Sequence, residues 1–219
     1  MVLNAIDRLD IEPAPFHYEA YRCTDPECVD AIVEEFPLAL VISHDGRYAS
    51  HVPLFRLSGT RCLFGHVDGA NPQFMEKTPF PARIVFTGPN SYIPPEAYVT
   101  RQLPTWNYIS VHMTGIVQVC NEAAMKLDVL RKTVDQCQPN EAPYQFDAQD
   151  ERVRHFAPHI LVLQILVKYE EARLKLSQDK SPEDQRAALE YLIGVQAGCR
   201  RRLLEMLLSR FTKPGSNGG

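Results

Sequence analysis

The 219-residue sequence has no apolar run long enough to span a bilayer. Its longest such stretch, ILVLQILV at 160–167, falls far short of the roughly 20 residues a membrane helix needs. The N-terminal MVLNAIDRLDIEPAPF lacks a basic segment followed by an apolar one, so no secretory leader is expected. Six cysteines occur (Cys23, Cys28, Cys62, Cys120, Cys137 and Cys199), yet no two have C-x-x-C spacing and none stands at zinc-finger distance from a histidine. Reduced thiols in a cytoplasmic protein are therefore the expectation. There is no G-x-S-x-G elbow, no G-x-G-x-x-G and no Walker loop, so the sequence gives little support to nucleophilic catalysis and offers no nucleotide cradle of the usual kind. Nor is there an excess of positive charge. Lys and Arg number 23 against 27 Asp and Glu, giving a net charge of -4, which exerts no general pull on nucleic acid. No helix-turn-helix pattern and no internal repeat are visible. The one basic run, Arg200 to Arg202, reads as the solvated face of an amphipathic helix.

The residues that are present describe a soluble core: 45% are hydrophobic and 23% charged. TDPECVDAIVEEF predicts a helix, with Asp25 as cap, Pro26 at the first helical position and Val29, Ile32, Val33 and Phe36 on one stripe. Short strands follow at 38–43, 47–57 and 61–67, with the Asp45-Gly46 pair marking a hairpin. Further strands are expected at 82–88, 106–120 and 159–167, a helix at 121–137, and a long helix opening at Ser181–Pro182. Links this short favour an antiparallel sheet over a doubly wound one. The fold expected is mainly β with flanking helices (α+β), a small closed or split barrel. Its domain would span residues 1–170, followed by a C-terminal helical segment at 171–212 and a tail at 213–219.

Three polar clusters interrupt the strands: SHVP at 50–53, GHVDGANPQ at 65–73 and PTWNYISVH at 104–112. The last holds the only tryptophan, Trp106, beside Asn107, Tyr108 and His112. A core strand wants aliphatic residues and a surface strand rarely carries a tryptophan, whereas a strand lining a ligand pocket uses both. The competing reading is a satisfied core histidine and a core tryptophan. His51, His66 and His112 lie on different strands with no ligand spacing to support them, so no metal site is expected.

The segments SHVPL, GHVDGANPQF, FTGPNSYIPPEAYV and LPTWNYISVHMTG, followed by ARLKLSQDK at 172–180, resemble in order and spacing the PaiB-like family of FMN-binding split-barrel proteins. The resemblance implies an antiparallel split β-barrel, the FMN-binding fold shared with pyridoxamine-phosphate oxidases and flavin reductases, here with a C-terminal helical extension. It implies FMN in a groove between the subunits of a homodimer. Ser50, His51 and the backbone near Val52 would then meet the flavin ring or ribityl chain, and His66, Asn71 and Gln73 the phosphate. Trp106 would cover the ring or seal the interface, and Asn107 would bond the ring's polar edge. His112, His66 and Tyr108, in that order, are the candidate acid–base groups. A flavin-linked oxidoreductase or tailoring enzyme acting on a small molecule is the function expected; the alternative is a non-enzymatic, FMN-binding negative transcriptional regulator. Gly69 stands where many members carry an arginine, Ala97 where a tryptophan is usual, and Phe74 follows the Asn-Pro-Gln run. Loss of an arginine fork predicts a weaker hold on the phosphate, by about 1.5–3 kcal/mol.

Overall fold

The computed structural model describes residues 15–57, 59–75, 79–138 and 144–197. In chain order these form β1 (Arg22–Cys23), α1 (Pro26–Glu35), β2 (Leu38–Ser43), β3 (Ala49–Arg56), β4 (Cys62–Asp68) and α2 (Pro72–Met75). After them come β5 (Phe80–Ile93), β6 (Thr105–Cys120), α3 (Ala123–Cys137), α4 (Glu151–Phe156), β7 (Ile160–Lys175) and α5 (Pro182–Ala197). The strands follow the order β1-β7-β4-β3-β2-β5-β6, and β6 also pairs with β7. Six strands therefore close an antiparallel barrel, with β1 attached outside it. A closed barrel leaves no long edge open for pairing with another chain.

Local chemistry sets the elements. The Asp25 side chain accepts from the Glu27 amide at 3.1 Å and Pro26 opens α1, as the sequence predicts. Val29 and Val33 on its inner face are fully buried. The β2–β3 hairpin turns at Gly46, whose φ of +72° is a conformation side chains rarely adopt. Alternation then sorts the faces of the barrel. Ala39 and Val41 of β2, Val52 and Leu54 of β3, Leu63 and Val67 of β4, Ile84 and Phe86 of β5, and Val111, Met113 and Val117 of β6 pack into one interior core. Gly65 is obligatory there, because a Cβ would run into the Pro53 carbonyl oxygen. On the outside of β3 and β4, Phe55, Phe64 and Val162 pack with Val129 of α3.

Two strands run further than their sequence pattern suggests. β5 continues through Pro89 to Ile93, and β7 runs through the charged KYEEARLK to Lys175. Along β7 the core positions change from odd (Leu163, Ile165, Val167) to even (Ala172), so one residue is taken up within 168–171. Glu171 and Arg173 consequently face outward, where charge has partners. Helix α4 and strand β1 are not visible in the sequence pattern.

The chain divides into two compact units. The barrel unit comprises the described residues up to Gly88 together with Ile109–Leu174. The second comprises Pro89–Tyr108 and the described residues from Lys175 onward, and has its own small core of Ile93, Tyr98, Ala188 and Leu192. In it the buried Asp184 of α5 accepts hydrogen bonds from the Thr100 amide (2.8 Å) and hydroxyl (2.5 Å) and from Gln102 Nε2 (3.0 Å). The basic run at 200–202 and the tail at 213–219 lie outside the described residues.

Candidate functional site

A groove of about 470 Å³ opens on the outer surface of the barrel, lined by Glu35, Phe36, Pro37, Leu38, Leu40, His51, Val85 and Thr87. Its floor follows from register. Leu40 of β2 lies opposite His51 of β3 on one side and Val85 of β5 on the other, so the three form one row across three strands. Their neighbours along each strand point into the core, and this row must therefore point out. Leu38 is 56% exposed at the mouth, an investment of apolar surface that a solvent-facing strand does not need. Alternation puts Arg83 on the same face of β5 as Val85 and Thr87, and it is exposed.

His51 is the one sequence-nominated residue that lines this groove. Ser50 and Asn71 meet each other: Asn71 Nδ2 donates to Ser50 Oγ at 3.0 Å, while Asn71 Oδ1 accepts from the Gln73 amide at 3.0 Å. Gln73 is buried and its Nε2 donates to the Val41 carbonyl at 3.0 Å. These amides tie the loop after β4 to the end of the barrel. Val52 has its side chain in the core. Gly69 is packed hard against the chain: its amide donates to the His159 carbonyl at 2.7 Å, and a Cβ would sit 2.7 Å from that same oxygen. No arginine fits this position without moving the backbone, so the departure seen in the sequence is a packing requirement of the loop.

His66 of β4 is in register with Val162 and half-buried, and burial lowers its pKa. His112 of β6 is pushed down to about 4, first by burial and then by Arg173 and Arg83, with Glu171 acting in the opposite sense. Its neutral form belongs to the fold. Stability from this group is thus complete above the ordinary pKa of 6.5 and is lost as pH falls from there toward 4. Replacing His112 by asparagine is expected to remove roughly 1–2 kcal/mol of acid destabilisation across that window, after solvent screening. Melting temperatures of both proteins between pH 7 and 4.5 check this; parallel profiles would mean that His112 titrates normally.

In the second unit, Trp106 is 51% exposed and its ring lies 6.4 Å from that of exposed Tyr92. Tyr108 is half-buried on the same strand. Asn107 is fully buried and its amide is committed: Nδ2 donates to Ser177 Oγ at 3.0 Å, and that hydroxyl lies 3.3 Å from Asn107 Oδ1. Ser177 also meets the Tyr98 hydroxyl at 3.1 Å and holds a φ of +60°, rare for a residue with a side chain. Asn107 is the polar anchor of a strained serine. Asn107→Ala is expected to cost about 2–3 kcal/mol, a fall in Tm of roughly 4–12 °C. An unchanged Tm with weakened ligand binding would return Asn107 to a ligand wall. Ser177 belongs to the ARLKLSQDK segment quoted for the resemblance, but nothing local marks that serine as left-handed.

Among the described residues, no three His, Cys, Asp or Glu side chains are arranged to hold a metal, and no helix is long and apolar enough to cross a membrane.

An antiparallel barrel of six strands with one strand outside it and flanking helices is a split barrel. Residues 16–169, more than half of the chain, match the family described as "Putative FMN-binding domain". The chain belongs to this FMN-binding family. It is 24% identical over 201 residues to "Protease synthase and sporulation protein PAI 2" of Bacillus subtilis (strain 168), covering 88% of this chain and 96% of that one. Its fold is similar to the flavocytochrome Anf3 from Azotobacter vinelandii, with a TM-score of 0.59, 17% identity, and 79% and 78% of the two chains covered. It is also similar to the FAD and heme binding protein from Mycobacterium smegmatis, with a TM-score of 0.57, 19% identity, and 77% and 80% covered.

Proposed function

We propose that the chain binds FMN in the outer groove of the barrel, works as a homodimer whose second copy covers that groove, and carries flavin-linked oxidation–reduction of a small molecule. The observation that carries the reading is the row His51–Leu40–Val85, an apolar floor with a hydrogen-bonding edge on the outer face of the barrel. Its residues suit FMN. A flat ring with apolar faces and a polar rim matches Leu38, Leu40 and Val85 beneath it and the His51 imidazole and Thr87 hydroxyl at its margin, in a cavity of ligand size. The Arg83 guanidinium, on the same face, supplies the cation for the phosphate that Gly69 cannot. Bound there, the flavin would supply hydride or single-electron transfer. His112, His66 and Tyr108 are the acid–base candidates in that order, although burial, which keeps the His112 imidazole neutral, also makes it a weak base.

A regulator that senses flavin without turnover would use the same groove. Titrating the purified protein with FMN, followed by visible absorption and calorimetry, tests binding; light scattering tests for twice the 24.9 kDa chain mass. Saturable binding with one flavin per chain is expected, and reduction of the bound flavin by NADH or NADPH separates the enzyme from the sensor. Absence of binding at millimolar FMN would overturn the flavin reading, and a monomer at micromolar concentration would remove the covering subunit.

A further inference from the structure

Arg56 ends β3, and its side chain is only 11% exposed. It reaches carboxylates on two other elements: Nη2 donates to Glu170 Oε2 of β7 at 2.5 Å, and Nε stands 2.6 Å from Asp30 Oδ1 of α1. The ion pairs tie α1 and β7 to the end of β3. The Asp30 oxygen nevertheless lies off the Nε–H axis, so this buried donor has no hydrogen-bond acceptor. Two cavities meet at Arg56. One, of about 480 Å³, is lined by Thr24, Thr60, Arg61 and Glu170, and the other, of about 260 Å³, by Val33, Glu34, Phe55 and Gln136; Asp30, Arg56 and Gly59 line both. A Cβ at Gly59 would meet no atom within 4 Å, so Gly59 walls neither cavity off. The cleft shares no lining residue with the groove floored by Leu40.

The larger cavity carries both signs of charge. Asp30 and Glu170 exceed by one charge the single guanidinium between them, and each keeps an oxygen that Arg56 does not hold. Arg61, exposed on the same wall, makes one guanidinium hydrogen bond among the described residues, from Nη2 to the Lys168 carbonyl at 3.2 Å. The smaller cavity differs: Val33 and Phe55 are buried and form its floor, while Glu34 and Gln136 are exposed at its rim. We propose that this cleft binds a free α-amino acid, with its ammonium and carboxylate in the larger cavity and its side chain in the smaller one. The ammonium meets Asp30 and Glu170, whose surplus negative charge attracts a cation. The carboxylate meets the Arg61 fork and accepts from the unsatisfied Arg56 Nε–H. A side chain of methylenes with a polar end, of the glutamine kind, covers Val33 and Phe55 and ends at Gln136 and Glu34. A simple anion would be set against Asp30 and Glu170, and a simple cation would leave Arg61 and the Arg56 Nε–H unanswered. The zwitterion is the class that satisfies both signs.

The full chain would be titrated calorimetrically with L-glutamine, with N-acetyl-L-glutamine, which lacks the ammonium, and with L-glutaminamide, which lacks the carboxylate. The expected result is saturable binding of one L-glutamine per chain, with a Kd of about 1 mM or tighter. Each analogue should bind roughly tenfold or more weakly, since each forfeits a charge-assisted hydrogen bond. Arg61→Gln should weaken L-glutamine to the same extent, with a Tm within about 3 °C of wild type because Arg61 is exposed. Its affinity for FMN should be unchanged, and FMN titration of the same samples reports on the flavin groove separately, so the two readings stand or fall apart. No saturable binding of L-glutamine at about 20 mM would overturn the inference. So would analogues that bind as tightly as L-glutamine, or a folded Arg61→Gln protein with wild-type affinity for it.

Discussion

Replacing Glu171 by alanine is expected to lower stability by about 3–5 kcal/mol, a fall in Tm of roughly 6–20 °C. Glu171 is fully buried on the outer side of β7 and accepts from the Tyr169 hydroxyl at 2.7 Å, Arg173 Nε at 2.9 Å and the Phe16 amide at 3.5 Å, with Arg22 Nε at 3.8 Å. Arg173 in turn lies over the Phe16 ring at 4.7 Å. One carboxylate thus fastens the segment before β1 onto the barrel wall. Removing it leaves Arg173 and Tyr169 facing a desolvated gap, and stranding one member of a buried pair costs far more than the pair's net worth. Burial raises the Glu171 pKa, but hydrogen bonds from Tyr169 and Arg173 outweigh it and hold the carboxyl below its ordinary range. The contribution is therefore present at neutral pH and is lost as pH falls through the depressed value. The wild-type advantage over Glu171→Ala should shrink in strong acid. Thermal melts at pH 7 and pH 3 measure this, and a variant within 2 °C of wild type at pH 7 would show the network to be ornamental to stability.

Leu40→Glu is expected to abolish FMN binding, with a loss of at least roughly 100-fold, or about 2.7 kcal/mol. Leu40 is the middle of the row that floors the groove, and a carboxylate there must either lose its water under the ring or hold the ring away. Because the side chain points outward from the barrel, the cost to folding should stay under about 1 kcal/mol. Leu166→Glu is the control: Leu166 is 41% exposed on β7, in register with Cys62 rather than with the groove strands, and its replacement should leave FMN affinity unchanged. Calorimetric titration of the three proteins decides. Equal affinity for Leu40→Glu and wild type would put the flavin elsewhere on the molecule.

How much of the site could be read beforehand varied with the range of the interaction involved. His51 stands out in the sequence through the SHVP cluster and the family resemblance, and it lines the groove. Its groove partners Leu38, Leu40 and Val85 do not, since in the sequence they look like any strand leucine or valine. The Asn-Pro-Gln run was legible as a motif, yet the side chains of Asn71 and Gln73 are bonded to Ser50 and to the Val41 carbonyl. A run of amides after a strand looks the same whether it holds a ligand or its own loop. Asn107 was similarly ambiguous, because its partner Ser177 lies 70 residues away.

What the sequence by itself determined is local or familial: the capped start of α1, the Asp45-Gly46 hairpin, the alternation that builds an antiparallel barrel, and the motifs of the FMN-binding family. Each depends on residues within a few positions of one another, where backbone sterics and side-chain period act directly. Only the tertiary structure decided which face of β2, β3 and β5 becomes a groove and why β7 carries a charged tail in a barrel wall. The Glu171 network reaches back 155 residues to Phe16, and closing the barrel through the β6–β7 pairing sets the burial of every outward residue. Burial turns an ordinary glutamate into a fastening and an ordinary leucine into the floor of a groove, and burial is a property of the closed barrel, not of any segment within it.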